Sequence, residues 1–121
     1  DIETAKEKFR LAAELEPDLL TANDLEFHVV LQARQRHVEF LIDRGDLDSA
    51  AELLQEALQV LRKRVDLFWV PDLSELLAKV EEKRGNLAEA KRHLHYAHVA
   101  AYLSNRQTAE RRLAELDTVE F

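Results

Sequence analysis

Apolar residues return every three or four positions through most of this chain, a spacing that predicts amphipathic helices and leaves strands almost no room. Two glycines and two prolines are the strong breakers, and helices can be drawn between them. The pattern predicts a first helix over 2–16, stopped by Pro17 because proline disfavours helical geometry at the residue before it. Further helices are expected over 23–44, 47–64, 72–84 and 87–103. Ser104 and Gln107 offer a capping box for a sixth helix ending near Asp117; the alternative is a single long helix running through Ser104. Residues 65–70 read as an irregular connection whose Phe68 and Trp69 fold back as a local plug.

Gly45 and Gly85 each follow a helical stretch ending in a basic residue, so both are expected as left-handed C-caps. Asp46 and Asn86 would then cap the next helix, with boxes from Asn86 to Glu89 and, behind Pro71, from Asp72 to Glu75.

Superimposing the two glycines brings out an internal repeat. Gly45, Leu47, Ala50, Leu54 and Ala57 fall on Gly85, Leu87, Ala90, Leu94 and Ala97 at a constant offset of 40 residues. The unit is a helix pair, with a small alanine where the second helix must approach the first and larger side chains one turn away. A lone pair cannot bury its apolar stripe, whereas stacked pairs bury theirs jointly.

The second helices resemble those of the tetratricopeptide repeat family, in which a small residue is followed after three positions by a large apolar one and then by alanine. Ala5, Phe9, Ala12, Ala13 and Pro17 fit that ending, as do Ala50, Leu54, Ala57 and Leu58, and again Ala90, Leu94 and Ala97. The first helices depart from the family. Ser74 and Glu81 stand where large or aromatic residues are usual, although Leu77 and Ala78 fit, and Arg34, His37 and Val38 replace an aromatic, a leucine and a small residue. The period of 40 also exceeds the family's usual 34 or so. The resemblance implies an all-α fold of antiparallel helix pairs stacked as a short right-handed solenoid. On that reading 1–121 is one domain: 1–17 the second helix of a partial repeat, 23–64 a long-helix repeat, 71–103 a second full repeat and 104–121 a terminal capping helix.

Composition narrows the function. A chain of 121 residues suits one core, burying roughly two-thirds of its unfolded surface. A net charge of -7 repels a phosphate backbone, and Arg62-Lys63-Arg64 is too short for a basic stripe, so nucleic acid is not an expected partner. No segment reads as membrane-spanning or as a signal peptide, and the lack of cysteine suits a reducing compartment such as the cytoplasm. The lack of methionine suggests a segment of a longer protein.

Catalysis is not expected. Both glycines are taken up as helix caps, leaving no phosphate loop, and no Gly-x-Ser-x-Gly elbow or thiol occurs. Carboxylate pairs such as Glu81 with Glu82, or Glu14 with Glu16, are expected to face water, where nothing separates their pKa values. His93, His95 and His98 crowd one helix but no Glu-x-x-His motif accompanies them; His98, aligned with Leu58, is expected to be partly buried, and neither metal nor cofactor is expected. His28 and His37 should flank the apolar face of the long helix.

A binding role remains. In tetratricopeptide arrays the first helix of each pair lines the concave surface, so the resemblance places Gln32, Gln35, Arg36, Glu39 and Asp43 there with Leu76, Lys79 and Lys83. This surface is polar and mixed in sign. Arg36, Asp72 and Leu76 occupy positions that a clamp for a peptide C-terminus would give to other residues, which disfavours that mode. The expected partner is a protein or peptide; the alternative is a ligand-sensing domain of a larger regulator.

Overall fold

The computed structural model describes residues 1–14, 18 and 20–117, so the predicted stop at Pro17 lies outside the described residues. Five helices follow in order: α1 (Ile2–Glu14), α2 (Asp24–Arg44), α3 (Leu47–Arg64), α4 (Val70–Lys83) and α5 (Leu87–Asp117), with no strand among the described residues. A two-residue turn joins α2 to α3 and a three-residue turn joins α4 to α5, which forces each pair to run antiparallel. α3 is packed between α2 and α4, α5 lies along α4, and α2 also touches α4. Leu31, Val38, Leu54, Leu61, Leu73 and Leu77 fill the centre. Ala50, Ala90, Ala97 and Ala100 are buried where the second helices approach their neighbours, as small residues at a close helix contact should be. α1 is fastened mainly by Phe9, whose ring stacks on His37 with centroids 4.6 Å apart and meets Phe40 at 5.3 Å.

Gly45 and Gly85 both have positive φ, 80° and 85°. Each closes its helix in the same way: the glycine N–H donates to the carbonyl three residues back, at 3.0 and 3.1 Å, and the next N–H to the carbonyl five back, at 2.9 and 2.8 Å. A third such cap ends α3 at Val65, with φ 54° and bonds of 3.1 and 3.0 Å to Arg62 and Leu61. A β-branched residue in this region is strained. Because a Cβ at either glycine would have nothing within 4 Å, only backbone strain opposes substitution there. Gly45→Val and Gly85→Val should each cost about 1–2 kcal/mol, with asparagine milder, while Val65→Gly should stabilise by about 0.5–1 kcal/mol. Thermal melts of the five variants check this; valine and asparagine melting alike would refute it.

Other helix ends depart from expectation. α4 begins at Val70 behind Trp69, which accepts Leu73 N–H at 3.1 Å, so Asp72 lies inside the first turn and caps nothing. Asp46 makes no side-chain cap bond. The Asn86 amide donates to Glu81 Oε2 at 2.7 Å, while Glu89 pairs with Arg92, so that box does not form. A side-chain N-cap forms at Asn23, whose Oδ1 accepts the Glu26 N–H at 2.8 Å while its side-chain amide donates to Glu26 Oε1 at 3.0 Å. The separate sixth helix is not found: α5 runs through Ser104, whose carbonyl accepts the Thr108 hydroxyl at 3.1 Å, inside one continuous helix.

Three side-chain expectations also fall. Glu81 is buried, not solvated like Glu82, because Arg84 at 3.1 Å and the Asn86 amide satisfy its carboxylate; Arg84 continues to Asp48 at 3.1 Å and ties the two glycine turns together. His98 is exposed, unlike Leu58, because α5 packs along α4 and not between two helices as α3 does. Phe68 and Trp69 part company: Trp69 is 6% exposed and Phe68 64%.

Candidate functional site

α2 buries Phe27, Val30, Leu31, Arg34, Val38, Leu41 and Ile42 along one stripe. The spacing of His28, Gln32, Gln35, Arg36 and Glu39 puts them side by side on another face. Gln32, Gln35, Arg36 and Glu39 line a recess of about 300 Å³ together with Trp69. The Gln35 amide donates to Glu39 Oε1 at 3.5 Å, and Arg36 carries no ion pair among the described residues. Four of the eight sequence-expected residues thus converge. Asp43 is exposed further along α2. Leu76 is half-buried against the core rim and Lys79 and Lys83 are exposed on α4; none of them lines the recess.

Beyond Trp69 the same face of α2 runs into a larger cleft of about 540 Å³. Its walls come from the start of α2, the connection from Arg64 to Trp69, and the stretch of α5 bearing Ser104, Gln107, Thr108 and Arg111. Arg64 is fixed there: its guanidinium lies 3.9 Å from the Phe27 ring centroid, donates to Ala22 O at 2.8 Å and pairs with Asp24 at 3.3 Å. Asp66 accepts the Phe68 N–H at 3.0 Å, and the Phe68 ring is exposed. His28 lies 5.0 Å from Trp69 and 6.4 Å from Phe68, centroid to centroid.

Sequence reasoning missed this cleft because it started a new helix at Ser104. The signal was present: Ser104, Gln107, Thr108 and Arg111 recur at helical spacing in the register of Ala90, Ala97 and Ala100, once α5 is taken as continuous. On α1, Arg10 holds the exposed Glu7 carboxyl below the ordinary carboxylate range. Among the described residues no group of three His, Asp or Glu could hold a metal, and no helix is long and apolar enough to cross a membrane.

Fold and recesses define a small all-α protein of paired antiparallel helices with a polar groove on α2. No family model, curated protein or solved structure matches the chain.

Proposed function

We propose that this domain is a protein-interaction module, a short right-handed stack of tetratricopeptide-like helix pairs that binds a peptide or an adjoining domain, and that it is not an enzyme. The observation that carries this reading is the recess itself: Gln32, Gln35, Arg36 and Glu39 present two amides and both signs of charge over the indole of Trp69. Polar groups convergent on an aromatic floor suit an extended chain, whose amides need partners and whose side chains need a surface to rest on. The repeat of identical caps 40 residues apart and the contact of α2 with α4 support the stacked-pair architecture. Lys79 and Lys83 on α4 would extend the binding face, and the partner would be held in the cytoplasm with modest, salt-sensitive affinity.

Charge reversal at Arg36 and Lys79 should abolish capture of a partner, while reversal at Glu89 and Lys91 on α5 should leave it intact. Pull-downs with matched variants at two salt concentrations check this; loss from the α5 pair alone would move the interface to the other side. The second reading, a ligand-sensing regulatory domain, draws on a different observation, the cleft between Phe68 and α5.

A further inference from the structure

We propose that the 540 Å³ cleft is a binding site for a ligand that combines a flat aromatic body with a carboxylate. The proposal deepens the ligand-sensing reading and stands independently of the groove on α2. Its volume lies within the usual range for small-molecule sites, about 300–1,000 Å³.

The register of α5 is the first argument. Its inward stripe is Ala90, Ala97 and Ala100 where it lies on α4, and then becomes Ser104, Gln107, Thr108 and Arg111 without changing face. Ser104 is half-buried and Gln107, Thr108 and Arg111 are exposed along that stripe. Here it turns polar where it borders the cleft.

Charge within the cleft is the second argument. Asp24 is paired with Arg64, and one Asp66 carboxylate oxygen accepts the Phe68 N–H. Arg111 has no ion pair among the described residues, although its neighbours Arg106 and Arg112 are paired with Glu110 and Glu115. Arg111 is therefore left to meet an anionic group, with the Gln107 amide one turn away as a further donor. Opposite lie the exposed Phe68 ring and His28, with Trp69 behind them, which offer a face to a planar group. Val65, strained in the left-handed region and 76% exposed, forms the lip that carries Phe68 outward.

The test uses N-acetylphenylalanine as probe and the fluorescence of Trp69, the single tryptophan, as readout. A saturable change is expected, with N-acetylphenylalaninamide and N-acetylalanine each binding about tenfold more weakly. Arg111→Gln should weaken the acid to the level of the amide and leave the amide unchanged; Phe68→Ala should weaken both. Both positions are exposed, and circular dichroism confirms that the variants keep their helices. A free aromatic acid and a polypeptide ending in phenylalanine share this chemistry. Tighter binding of Gly-Gly-Gly-Phe than of the N-acetyl compound would point to the polypeptide, and equal or weaker binding to the free acid; either supports the site. No saturable change at millimolar probe, equal affinity for acid and amide, or wild-type binding by Arg111→Gln would overturn it. Arg36→Glu separates the two recesses: it should leave probe binding unaltered even if it removes partner capture.

Discussion

Leu54→Ala will destabilise the protein by about 2–5 kcal/mol, whereas Leu94→Ala, the same change at the repeat-equivalent position, will cost about 1 kcal/mol or less. Leu54 is fully buried because α3 has α2 on one side and α4 on the other, so truncation leaves a cavity that neither neighbour can close. Leu94 is 50% exposed because α5 rests on α4 with one flank open, and water replaces the missing methyls. Urea denaturation of the two variants measures the difference; equal losses would mean that α5 is covered as fully as α3.

Glu81→Ala is expected to cost about 1–3 kcal/mol, while Glu82→Ala stays within about 0.5 kcal/mol. The Glu81 carboxylate is the centre of a small network: it accepts from Arg84 and from the Asn86 amide, and Arg84 reaches Asp48 at the start of α3. Its removal leaves both donors without their acceptor at a partly buried turn and weakens the link between the two hairpins. Arg84 is itself a third exposed, so water compensates part of the loss and the effect falls short of that for a fully buried ion pair. Equal stability of the two alanine variants would show that the network contributes nothing.

Both predictions turn on equivalent positions of the two repeats that differ in burial or in residue, and there the sequence was least legible. Arg34 and Ser74 are equivalent in the repeat, and Glu81 is equivalent to Leu41. These three read as departures from a familiar pattern, and they are the buried polar residues of the described core. The pattern gave Arg34 and Ser74 inward positions but sent Glu81 to water, and it could not say how a charge would be satisfied inside. Arg34 lies 3.5 Å from Glu56 on the facing helix, a pairing that spacing along the chain does not give, whereas Glu81 meets Arg84 three residues on and the Asn86 amide five residues on, across the turn that follows. The groove was half legible for a similar reason. Helical periodicity grouped Gln32, Gln35, Arg36 and Glu39, whereas joining them to Lys79 and Lys83 needed the relative placement of α2 and α4, and the recess lies over Trp69 instead.

What the sequence by itself determined is local: the all-helical character, the bounds of α2 and α3, the two left-handed glycine caps and the alanines at close helix contacts. These follow from interactions within a few residues, where periodicity, positive φ and side-chain volume act almost without regard to the rest of the fold. Tertiary structure decided which helix faces are covered and which lie open. It set Trp69 inside and Phe68 outside, buried Leu54 and exposed Leu94, and kept α5 continuous past Ser104, with its polar stripe beside the cleft. Burial is a property of what lies opposite a side chain, and that neighbour comes from another part of the chain.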